Sequence, residues 1–130
     1  MINKELIELQ KGCKATCVVV LEESYKELGE MYIINALEDS NELFRNLLGN
    51  PYCKEDIDNI SNNAEIAYFV INGIEEVNED MQKNYSDIVK DRLIGRYELP
   101  SNIIIVFTVK DREGIKKISK ELYHFCVVVF

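Results

Sequence analysis

The chain has 130 residues, 47% of them hydrophobic and 29% charged, with a formal net charge of −8. This length suffices to bury most of the apolar surface behind one core, and the balance is that of a globular domain rather than a disordered segment. The acidity disfavours nonspecific contact with a phosphate backbone, and the longest apolar runs, Ile103 to Phe107 and Phe125 to Phe130, fall well short of the roughly 20 residues a membrane-spanning helix needs.

The charge is unevenly spread: residues 1–80 hold 17 acidic against 6 basic side chains, and residues 81–130 hold 6 against 9. A local basic face built from Lys110, Arg112, Lys116, Lys117 and Lys120 is the one nucleic-acid option, and it ranks behind ordinary solvated helix faces. Met1 to Gln10 alternates charge with Ile and Leu and lacks the unbroken apolar stretch of a secretory signal, so the expected location is cytoplasmic.

In chain order, Lys4 to Lys11 reads as a short amphipathic helix with Leu6, Ile7 and Leu9, stopped by Gly12. Ala15 to Leu21 is a continuous run rich in β-branched residues, which marks a strand covered on both faces. From Glu22 to Asn63 the pattern is weaker. Tyr25, Leu28, Met31 and Tyr32 fall at helical spacing, while Met31 to Ala36 fits a strand equally well. Leu43, Phe44, Leu47 and Leu48 form a helical stripe behind the cap candidates Asp39 and Ser40, closed by Gly49, Asn50 and Pro51. Cys53 to Asn63 reads as a polar helical turn entering a Ser-Asn-Asn loop.

Ala64 to Ile71 is the second strong strand, ended by Asn72 and Gly73. A helix follows from the cap Asn78, with Glu79 and Asp80 in its first turn, the stripe Met81, Tyr85, Ile88, Val89 and Leu93, and Gly95 as C-cap. Asn102 to Val109 is a third buried strand. Asp111 caps a helix carrying Ile115, Ile118, Leu122 and Tyr123, and Phe125 to Phe130 is a final strand. Strands that are apolar throughout and alternate with helices imply a mostly parallel sheet between two helical layers in a single α/β domain, residues 1–130.

Cys17 and Cys126 lie in Val-rich strands, where a thiol behaves as a small buried hydrophobe. Cys13 and Cys17 have neither a second pair nor a clustered His, so no metal site is assigned.

Three stretches resemble the second half of a MoxR-type AAA+ ATPase core. Ala67 to Gln82 (AYFVINGIEEVNEDMQ) is similar to the strand and helix of a Walker B region. Asp91 to Asp111 (DRLIGRYELPSNIIIVFTVKD) resembles the Gly-x-Tyr-x-Leu-Pro turn before the sensor-1 strand. Ile118 to Phe130 (ISKELYHFCVVVF) resembles the helix, arginine-finger position and last strand. The resemblance covers about half the chain, and it implies a P-loop-like core without the C-terminal lid, in which the last strand lies at the sheet edge beside the first.

The residues that would carry the chemistry are replaced. A phosphate-cradling loop needs tight glycines and a Lys followed by Ser or Thr, whereas the stretch after the first strand, Glu22 to Gly29, lacks the tight glycines and brings in the three carboxylates of Glu22, Glu23 and Glu27. The Walker B pair falls on Asn72 and Gly73, sensor 1 on Lys110 and the arginine finger on His124. Phosphoryl transfer depends on charge positioned by several groups together, so joint loss argues against turnover. Glu75 and Glu76 are adjacent residues pointing different ways and make a poor shifted pair. His124 has no Ser or Cys nucleophile at a recognisable spacing.

The resulting expectation is a catalytically inactive AAA+-like protein that binds a protein partner or itself, with no cofactor, no metal and no nucleotide. The alternative is a small-molecule or nucleotide binder using the crevice at the C-terminal ends of the strands, lined by Glu22, Ser24, Lys26, Asn72, Thr108, Lys110 and His124.

Overall fold

The structure is a computed structural model that describes residues 2–44 and 49–130. The strands are β1 (Cys17–Leu21), β2 (Met31–Asn35), β3 (Ala67–Asn72), β4 (Leu93–Ile94), β5 (Tyr97–Glu98), β6 (Ile103–Val109) and β7 (Cys126–Val128). The helices are α1 (Lys4–Glu8), α2 (Ser40–Phe44), α3 (Lys54–Asn63), α4 (Glu79–Asp91) and α5 (Lys120–Tyr123), with 3-10 turns at Tyr25–Glu27, Ile74–Glu76 and Arg112–Lys117. Five strands form one parallel sheet in the order β2-β3-β6-β1-β7, and β4 and β5 make a separate antiparallel hairpin. The last strand therefore occupies the edge next to the first. Among the described residues no helix is long and apolar enough to cross a membrane.

The three-layer α/β/α arrangement follows from strands whose alternate residues are apolar on both sides. In β3, Ala67, Phe69 and Ile71 enter one core while Tyr68 and Val70 enter the other, and β6 is buried along its whole length. The two layers are unequal. One face carries α2 to α5 through Leu43, Ile57, Tyr85, Ile88, Val89 and Leu122. The other is covered by Ile2 and Ile7 near α1 and by Leu28 of the segment joining β1 to β2.

Chain direction explains the inequality. The β2→β3, β3→β6 and β6→β7 connections all step the same way across the sheet and all pack on the first face, whereas β1→β2 steps back the other way and packs on the second. Opposite steps on opposite faces give every crossover the same hand, as the strong chiral preference of parallel connections requires.

The β1→β2 connection is only residues 22–30. It must pass two intervening strands and return along the strand length, a path of about 21 Å at roughly 4.8 Å per strand and 3.3 Å per residue. Extended chain of this length reaches about 30 Å, but nine helical residues would span only about 13 Å. One 3-10 turn at Tyr25–Glu27 in otherwise non-helical chain meets that constraint, and Met31 to Asn35 is accordingly a strand.

Several local expectations are corrected. Gly95 does not cap α4: the helix ends at Asp91, and Arg92 takes the left-handed cap with φ 54°. Its buried guanidinium donates to the carbonyls of Pro100 and Ile103, both at 2.8 Å, which holds this conformation against its strain. Gly95 turns the β4–β5 hairpin instead, and Leu93 is an exposed strand residue rather than part of the helical stripe.

The Ser61-Asn62-Asn63 stretch is helical, not a loop, because Ile57 and Ile60 pack on the core and the Asn102 amide donates to the carbonyls of Ser61 and Ala64 at the helix end. The helix foreseen from Asp111 to Tyr123 is broken into a 3-10 turn and α5. Gln82 of α4 causes the break: buried, it donates to the Lys117 carbonyl at 3.0 Å and accepts the Ser119 amide at 2.6 Å, after which Ser119 caps α5. In α1 only Ile7 is buried, and Leu6 and Leu9 are exposed. Leu43 is buried and Phe44 meets Tyr85 edge-on at 5.0 Å; Leu47 and Leu48 lie outside the described residues.

Candidate functional site

The C-terminal tips of β1, β3 and β6 lie side by side, because the three strands are parallel and β6 pairs with β3 on one side and β1 on the other. Asn72 closes β3 and Thr108 lies next to it on β6. The Thr108 hydroxyl donates to Asn72 Oδ1 at 2.9 Å and accepts the Gly73 amide at 3.2 Å. Asn72 is thus fixed by a buried hydroxyl, in the position where the family resemblance places a metal-holding Asp.

The acidic residues beyond the tips crowd together. Glu75 Oε2 accepts the Lys110 backbone amide at 3.0 Å. Gly114 is buried beside that carboxylate, and a Cβ there would stand 2.5 Å from Glu75 Oε2 and 3.0 Å from Val109 Cβ, so the close approach requires glycine. Burial raises the Glu75 carboxyl above its ordinary pKa. The Lys110 amide opposes the shift, and repulsion from Glu76, Glu22 and Asp111 adds to it. Four carboxylates therefore make the strand tips anionic, yet among the described residues no group of three or more His, Cys, Asp or Glu is arranged to hold a metal ion.

Four backbone donors of the turn that follows β1 are already used. The Glu22 amide donates to Val109 O at 2.8 Å, Ser24 to Leu21 O at 2.9 Å, Glu27 to Ser24 O at 3.1 Å and Leu28 to Tyr25 O at 3.1 Å. Such amides turn toward protein carbonyls rather than a ligand. The three-residue 3-10 turn that follows β1 also supplies none of the aligned dipole of a longer helix.

The residues named from the sequence separate into two groups. Glu22, Asn72, Thr108 and Lys110 lie at the strand tips, with Ser24 buried in the adjoining turn. Lys26 lies on the exposed side of the crossover, leading away over the thin face. His124 stands apart: it precedes β7, whose Cys126 pairs with Cys17 at the start of β1, so it lies at the opposite end of the sheet. There its ring meets Phe125 edge-on at 5.3 Å, and it lines a shallow cleft with Ile115, Lys116, Ile118, Lys120 and Tyr123.

Of the basic residues considered for nucleic acid, Lys116 pairs with Glu113 at 3.1 Å, and the Arg112 guanidinium sits 5.0 Å from the Phe130 ring centre. The sequence reading missed Gln82, Arg92 and Asn102, whose polar side chains join the elements. Each lies among other polar residues, so no local pattern singles it out.

A scan against protein-family models finds no match for the chain, and a search of curated proteins finds none either.

Proposed function

We propose that the chain is an AAA+-like α/β module without hydrolytic chemistry, working through contact with a protein partner or with a second copy of itself. The observation that carries the reading is the set of strand tips. Where a triphosphate would need concentrated positive charge, a glycine-rich loop and free amides, the tips hold four carboxylates beside Lys110, and the amides of Glu22, Ser24, Glu27 and Leu28 already donate to protein carbonyls. Repulsion between like charges in a partly desolvated crevice opposes phosphate binding. The resemblance of Ala67 to Phe130 to the family, together with a last strand at the edge beside the first, supports the ancestry. The nine-residue crossover after β1 departs from it, since it leaves no room for the helix that a phosphate loop normally opens.

Contact with proteins is favoured by the sheet edges, since β2 and β7 each pair on one side only. Light scattering at high micromolar concentration tests self-association through the β7 edge or an adjoining patch, and a clean monomer contradicts it. In the alternative, a small molecule occupies the tips; the carboxylates then restrict it to neutral or cationic ligands. Thermal stabilisation by such a compound, lost on substitution of Asn72, would favour that alternative.

A further inference from the structure

We propose that Cys17 and Cys126 form a redox pair that closes into an intrachain disulfide joining the first strand to the last. The two residues stand opposite one another in the parallel register of β1 and β7, and their Sγ atoms are 3.6 Å apart. Both side chains enter the same core. A disulfide needs Cα atoms about 4.4–6.8 Å apart and an S–S distance of about 2.05 Å; adjacent strands meet the first condition, and closure requires a movement of roughly 1.5 Å. β7 can supply that movement, being three residues long and paired on one side only.

Neither thiol is held by a strong competing bond. Cys17 Sγ lies 3.6 Å from the Phe125 carbonyl and Cys126 Sγ donates to the Leu122 carbonyl at 3.3 Å, both weak donors. They differ in access: Cys17 is fully buried and Cys126 partly exposed. Cys126 is therefore the entry thiol and Cys17 the resolving one.

The oxidant is a low-molecular-weight disulfide. The Cys126 thiolate attacks one of its sulfurs, forming a mixed disulfide and releasing one thiolate. Cys17 then gives up its proton and attacks Cys126 Sγ, releasing the second thiolate. The small disulfide takes two electrons, and its two thiolates take up the protons lost by the pair. The hydrogen bond with Cys126, and then burial, hold the Cys17 thiol well above its ordinary pKa, so the second step relies on proximity rather than acidity. The product ties together positions 109 apart in sequence and fixes the edge strand.

The full-length chain, incubated with excess oxidised glutathione, unfolded in an alkylating agent and mapped without reduction, tests the assignment. The expected result is an intact mass lower by two hydrogens before alkylation, two alkylated cysteines in place of four, one cross-linked peptide pair containing Cys17 and Cys126, and full reversal by dithiothreitol. The Cys13→Ser variant should give the same cross-link, with one alkylated cysteine in place of three. The Cys126→Ser variant, altered at a partly exposed position, should stay open. Four alkylated cysteines after oxidation, a persistent glutathione adduct on Cys126, or a cross-link through Cys13 or Cys53 would each overturn the proposal.

Discussion

The two faces of the sheet are built from the same kind of strand residue but covered very differently. One carries the four helices α2 to α5, contributed by crossovers running in one direction, while the other depends on α1 and a nine-residue connection. The lesson is that strand order and chirality, rather than hydrophobicity, decided which face received a full layer. Ile33 shows the consequence: it points from β2 to the thin side and remains 42% exposed.

The contrast predicts a graded response to mutation. Phe69 lies on the thick side with no exposed surface, so Phe69→Ala should cost about 3–5 kcal/mol, whereas Leu28→Ala under the thin cover should cost about 2 kcal/mol because the crossover can settle into the space. Urea unfolding of both variants checks this, and equal losses would break the comparison. Next in size, Tyr85→Phe should cost about 1–2 kcal/mol, since it removes a buried 2.7 Å bond from the hydroxyl to the Ala36 carbonyl and leaves that carbonyl unpaired.

Glu75→Gln should stabilise the chain modestly at neutral pH. The folded-state pKa of Glu75 is raised, so ionised Glu75 opposes folding above that pKa, and the penalty vanishes below the unfolded value of about 4.3. The advantage of Gln should therefore appear as pH rises through this range and then level off, which thermal melts at several pH values would follow. At the small end, Ile33→Lys should change stability by less than about 0.5 kcal/mol, because the side chain is already half in water.

The sheet was legible in the sequence because β1, β3, β6 and β7 lie within the mostly apolar stretches Ala15 to Leu21, Ala64 to Ile71, Asn102 to Val109 and Phe125 to Phe130, although the strands themselves are shorter and Ala64 to Ile66 precede β3. β2 was not, because Met31 to Asn35 satisfies helical and strand periodicity alike; only the short path from β1 decides it. The helix boundaries failed where tertiary polar contacts replace local signals: Arg92 takes the cap that Gly95 seemed to offer, and Gln82 divides what reads as one helix before Ser119. At the strand tips the residue types were readable. The crowding of Glu75 against Gly114 and Lys110 required coordinates, since those residues are more than thirty positions apart. His124 was grouped with the tips through the family resemblance, which gives a position in a motif but not the end of the sheet on which it falls.

The anionic strand tips are tested most directly by gel filtration of the purified chain after incubation with ATP and magnesium, with nucleotide quantified in the protein peak. The account predicts a protein peak free of nucleotide and no released phosphate. ATP eluting with the chain at a stoichiometric ratio would contradict it.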